Sequence, residues 1–139
     1  MQQEEWKELA ELARQTLRIL PDDTTAKQYL EESKNKKTRI EKAEEIVKKE
    51  PTPENYLTLS LRYYREGMYK KCIEACNKAL ELKPDYTEAY NNICSAYNEL
   101  SMWDEAIEAC EQSLKINPEY QLAKNNLNWA VSEKNKGVK

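Results

Sequence analysis

Four cysteines and no histidine bound the chemistry open to this chain of 139 residues. Cys72 and Cys76 stand four apart, and Cys94 and Cys110 follow. Four thiolates could hold zinc, but structural zinc ligands cluster in tight turns, whereas these are spread through helical segments. The alternative is that all four are small apolar residues packed inside the fold, since a free cysteine behaves as a buried hydrophobe. Without histidine, the commonest general base and metal ligand is missing. The only glycines are Gly67 and Gly137, so no glycine-rich phosphate loop exists. No catalysis, metal or cofactor is expected.

The elements that must position these residues repeat. Pro53 to Tyr86 recurs 34 residues later as Thr87 to Tyr120. Tyr56 falls on Tyr90, Leu59 on Ile93, Tyr63 on Tyr97, Ile73 on Ile107, Leu80 on Leu114 and Pro84 on Pro118. A fixed period of this size marks a solenoid, and a solenoid argues for a binding surface rather than a reaction centre. Each unit reads as helix, turn, helix, turn. Tyr56, Leu59, Ser60, Tyr63 and Tyr64 mark a first helix, Gly67 breaks it, and Tyr69 to Leu82 marks a second, ended before Pro84. In the next unit Trp103 replaces Tyr69 and Ser101 replaces Gly67. The cysteines fall on small-residue positions: Cys72 on Ala106, Cys94 on Ser60, Cys76 on Cys110. All four are therefore expected to be unpaired and buried. Reduced thiols would fit an intracellular setting.

The period, the aromatic-x-x-Leu-small-x-x-Tyr opening, the small residues of the second helix and the closing proline resemble the tetratricopeptide repeat. Tyr56 and Tyr90 stand in place of its usual Trp, and Ser101 in place of its turn Gly. The resemblance implies an all-α fold, an alpha-alpha superhelix of stacked antiparallel helix pairs in a single domain over residues 1–139. Residues 53–86 and 87–120 are the two full repeats, and 121–136 resembles the helix that caps such an array.

Residues 1–52 read as degenerate or partial repeats. Trp6, Leu9, Ala10, Ala13, Leu17 and Ile19 look like a second helix with no first helix before it, as though the chain began midway through an array or opened on a half-repeat. Its apolar stripe could fold back on residues 24–50, pair with the same stripe in a second chain or exchange helices with it, and a homodimer through this amino-terminal helix is the favoured expectation. Thr38-Arg39-Ile40-Glu41 has the form of a capping box, which favours a new helix starting at Thr38. The alternative, one helix from Thr24 to Lys49, would be about 40 Å long.

Composition excludes several classes. The net charge of -3 argues against general nucleic-acid binding. The basic run of Lys34, Lys36, Lys37, Arg39 and Lys42 is interrupted by Glu41, Glu44 and Glu45 and reads as a solvated helix face. No long apolar run suggests a membrane span, and no secretory signal is recognisable.

In the tetratricopeptide family the first helices line the concave side. By that resemblance the groove positions are Glu54, Leu57, Thr58, Leu61, Tyr64 and Arg65, then Glu88, Asn91, Asn92, Ser95, Asn98 and Glu99, then Leu122, Asn125, Asn126, Trp129 and Glu133. The paired asparagines could hold a peptide backbone, since an amide both donates and accepts; equally, asparagine is common in the family pattern. On the first view, Asn92→Ala and Asn126→Ala should weaken binding and leave stability almost unchanged. Family members that hold chaperone carboxy-termini use Lys, Asn and Arg. Here only Asn92 matches, while Leu57, Leu61, Leu122 and Asn126 occupy the other positions. The expected ligand is instead a helix or a partly apolar extended segment. The function implied is a protein- or peptide-binding module. The other reading is a structural or self-associating module within a larger protein.

Overall fold

The computed structural model describes residues 3–137. The side chains of Lys36, Lys37 and Thr38 lie outside the described residues, and with them part of the basic run and of the capping box. Seven helices and no strand are found among the described residues: α1 (Gln3–Ile19), α2 (Thr24–Lys49), α3 (Pro53–Arg65), α4 (Tyr69–Leu82), α5 (Thr87–Glu99), α6 (Trp103–Ile116) and α7 (Gln121–Lys136). Each packs against the next, and α5 also lies beside α3 and α7. The result is the expected solenoid, with α3, α5 and α7 forming one layer and α4 and α6 the other.

Local chemistry accounts for the boundaries. The Asp23 carboxylate accepts the Ala26 N–H at 2.7 Å and opens α2. The Thr52 hydroxyl accepts the Asn55 N–H at 3.1 Å, and Pro53 occupies the first turn of α3. The turns after α3 and α5 are the same structure built twice. Met68 N–H reaches Tyr63 C=O at 2.8 Å and Gly67 N–H reaches Tyr64 C=O at 3.0 Å. Met102 to Tyr97 and Ser101 to Asn98 repeat it at 2.9 and 3.1 Å. This closure requires a left-handed residue, Gly67 with φ 74° and Ser101 with φ 56°.

The core of the repeats is made of small side chains. Cys72, Cys76, Ala79, Ala89, Cys94, Ala96, Ala106 and Cys110 have no exposed surface. Small residues let helix axes approach closely, and Leu59, Tyr63 and Ile93 fill the larger spaces between them. Ser113, also fully buried, donates to the Thr87 carbonyl at 3.0 Å and ties α6 to the start of α5.

Three expectations are corrected. First, residues 24–49 form one helix, not two. No glycine or proline lies between Asp22 and Glu50. A capping box starts a helix only where the preceding residues leave it, and nothing here makes them do so. Second, α1 is not a lone second helix. It pairs antiparallel with α2, and by alternation takes the first-helix place of an opening pair. Trp6, Leu9 and Ala10 carry the same spacing as Tyr56, Leu59 and Ser60. Trp6 is buried in the core with Ile40 and Ala43, so the stripe finds its partner within the chain. The exposed tryptophan that motivated the expected homodimer is therefore covered. Third, Cys94 and Cys110 form a disulfide between α5 and α6, while Cys72 and Cys76 are free. All four are buried, as expected, but only two are unpaired, and the intracellular inference loses half its basis.

Candidate interaction groove

The proposed groove positions divide into three groups. The first is open to solvent: Leu61 is 40% exposed, Trp129 55% and Leu122 56%, and what sets them apart from other exposed apolar side chains such as Leu12 and Leu82 is that they share one set of helices. Arg65 and Asn125 are exposed too, and Leu57 is half-buried against the core. The repeat period sets these residues in rows across α3, α5 and α7. Leu61, Ser95 and Trp129 form the middle row, with small Ser95 between two large apolar neighbours.

The second group forms a polar seam. Asn91 and Asn98 are buried. The Asn126 amide donates to Asn91 Oδ1 and to Ser95 Oγ, each at 2.9 Å. Asn98 donates to the Asn126 carbonyl at 3.2 Å. Asn91, Ser95, Asn98 and Asn126 thus bind α7 to α5. Asn92 reaches Ser60 on α3 only at 3.4 Å. Asn125 accepts from Gln121 one turn back at 2.8 Å. Asn126 in particular has spent both amide protons on its neighbours.

The third group lies around Glu99. Its carboxylate accepts from the Tyr64 hydroxyl at 3.2 Å and from Tyr69 at 3.5 Å, and the two rings meet edge to face. Burial and this carboxylate push the Tyr64 phenol up to about 12. Tyr63, which donates to Glu44 at 2.7 Å, is raised for the same reasons, burial first. Behind the groove, Cys72 and Cys76 share a hydrogen bond, which with burial pushes the Cys72 thiol up. Ser60 also bonds Cys76. Ser60 and Cys76 occupy the places that Cys94 and Cys110 occupy in the next unit. The equivalence is visible in the sequence, but the contact it carries from one repeat to its copy is not, so the sequence held no signal for the pairing.

No group of three or more potential ligands suited to a metal occurs among the described residues. No helix among them is long and apolar enough to cross a membrane.

The tetratricopeptide repeat family matches residues 53–86 and, separately, residues 87–120. The chain is a tetratricopeptide repeat protein. No curated protein matches it significantly in sequence. Several solved tetratricopeptide domains share its fold. The first such domain of human RPAP3 superposes with a TM-score of 0.67 at 19% identity, covering 92% of this chain and 91% of that one. The MamA protein gives 0.66 at 20%, covering 94% and 74%. The TPR2B domain of yeast Sti1, in a complex with pHsp70, gives 0.66 at 19%, covering 90% and 98%. At these identities the likeness concerns the fold alone.

Proposed function

We propose that this tetratricopeptide chain is a non-catalytic protein-binding module whose partner lies across α3, α5 and α7. The observation that carries the reading is the exposure of Leu61, Leu122 and Trp129 on one layer of helices, beside a polar seam that holds those helices in place. Solved domains of the same fold support it: one, from Spaghetti (RPAP3), is bound to the HSP90 peptide SRMEEVD. An acidic tail of that kind is not the ligand expected here. The Lys and Arg residues of a carboxylate clamp are replaced by Leu57, Leu122 and Asn126.

The test is affinity capture with the intact chain against Leu61→Asp and Trp129→Ala. Both side chains are exposed, so the fold should survive, and a thermal melt checks that. Proteins that depend on the groove should be lost from both variants and kept by Leu82→Asp, an exposed site on α4. Equal capture by all three would remove the reading.

Self-association is the second reading. It now rests on Leu12, Ile19, Leu20 and Tyr29, exposed on the α1–α2 hairpin, rather than on Trp6. Sedimentation of the chain and of a Leu12→Asp, Tyr29→Asp variant tests it. A monomer at every micromolar concentration would exclude it.

A further inference from the structure

The groove is acidic as well as apolar. Its named positions carry four carboxylates, Glu54, Glu88, Glu99 and Glu133, against one guanidinium, Arg65. The 34-residue period places them in two rows. Glu54 and Glu88 begin the row that Leu122 completes, near the starts of α3, α5 and α7. Arg65, Glu99 and Glu133 form the row near the helix ends. Between them runs the row of Leu61, Ser95 and Trp129.

The carboxylates differ in how far they are neutralised. Glu133 pairs with Lys136 at 2.6 Å. Glu99 receives two phenol hydrogen bonds, which orient it and leave its charge in place. Glu54 and Glu88 make no ion pair among the described residues and are both exposed. Both act on the Tyr86 phenol and help raise its pKa after burial has done so, and the Lys83 ammonium lies over the same ring, 4.4 Å from its centroid. Glu88 does the same to Tyr120. Along α5, Glu88 and Ser95 are separated by about 10 Å, and Ser95 and Glu99 by about 6 Å. The apolar seat is thus flanked by negative charge on the side of Glu54 and Glu88; on the other side Arg65 and Lys136, whose ammonium lies 5.7 Å from the Trp129 ring, offset Glu99 and Glu133.

Resting on the groove reading above, we infer that the partner segment is apolar and basic. A large aliphatic or aromatic side chain sits over Ser95 between Leu61 and Trp129, and Lys or Arg side chains on the flank toward the helix starts face Glu54 and Glu88. Charge complementarity of this kind sets partner choice and approach rate more than total affinity, and it excludes acidic segments by repulsion.

The experiment uses the full chain and three peptides: a twelve-residue peptide alternating leucine and lysine, its isostere with glutamate for lysine, and the acidic peptide SRMEEVD. Binding is read by calorimetry and by the part of the tryptophan fluorescence that Trp129→Phe removes, since Trp6 and Trp103 also emit. The lysine peptide should bind at least about 10-fold tighter than its glutamate isostere at low salt, and the gap should shrink to about 2-fold in 1 M salt, where screening is nearly complete. The double variant Glu54→Gln, Glu88→Gln should remove most of that gap. Glu108→Gln, Glu111→Gln on α6, which makes the same change in net charge on another exposed surface, should leave it intact. Equal binding of the lysine and glutamate peptides, or equal loss with both double variants, would overturn the charge inference while leaving the groove reading standing. Tighter binding of SRMEEVD would also overturn it. No binding by any peptide, with Trp129 fluorescence unchanged, would overturn both.

Discussion

Ser101 is the residue whose backbone disagrees most with its side chain. It sits at φ 56°, where Gly67 sits in the preceding unit, and both close the same turn. A left-handed non-glycine residue costs about 1 kcal/mol or more. Ser101→Gly should therefore raise stability by about 1 kcal/mol, and Gly67→Ala should lower it by a similar amount. Urea midpoints at constant slope check both. Asn126 is the second such position. Its amide holds Asn91 and Ser95, so Asn126→Ala should cost about 1–3 kcal/mol of stability. The resemblance implied a ligand-only role with an almost unchanged unfolding midpoint, and the observed hydrogen bonds revise the second half of that expectation. The tyrosines make the third prediction. The Tyr64 phenol titrates near 12 in the fold and near 10 when unfolded, so folding favours its neutral form. The stability this contributes is whole below pH 10 and is lost as pH rises from 10 to 12. Tyr63 and Tyr69 shift in the same direction, each through burial first and then a neighbouring carboxylate. Alkaline melts should show the loss, and Tyr64→Phe should reduce its steepness.

At the scale of the element, the disulfide and its counterpart are the informative pair. Cys94–Cys110 joins the two helices of one repeat across 16 residues, a loop for which chain-entropy arguments give about 3 kcal/mol. In the preceding repeat the same two places hold Ser60 and Cys76, already in contact. Ser60→Cys should form a second bridge, to Cys76, and raise the melting temperature under oxidising conditions only. Mass spectrometry counts the bridges. In the unsubstituted chain two thiols should react, and only after denaturation, because Cys72 and Cys76 are fully buried. The helix α2 shows the reverse relation between motif and structure. It runs 26 residues against 14 in α4 and α6, roughly 18 Å more, and α1 pairs along it.

Across the whole molecule, stability should fall from the middle outward. Units of a solenoid are stabilised by their neighbours, and α4, α5 and α6 have neighbours on both sides. The opening hairpin is held to the rest through α2, and α7 rests on α5 and α6. Native-state hydrogen exchange should therefore protect α5 and α6 most, with α1 and the first half of α2 opening at lower free energy. Trp6→Ala should lower protection in α1 and leave α5 unchanged. Uniform protection along the chain would show instead that it unfolds as one unit.

Most of the architecture was legible in the sequence. The two repeats from Pro53 to Tyr120 and the helix from Gln121 could be read because their signals are local: a helical period, a turn residue and a closing proline act within a few residues. The opening pair was harder. Trp6, Leu9 and Ala10 carried the first-helix spacing, but the missing turn in α2 hid the period. Tertiary structure decided what depends on contact between helices. It joined Cys94 to Cys110, put Asn91, Asn98 and Asn126 into a seam between α5 and α7, and left Leu61, Leu122 and Trp129 in the open. Spacing along one helix assigns a residue to a face. Whether that face meets a neighbour or solvent is determined by the packing of the other helices, and a single segment does not encode it.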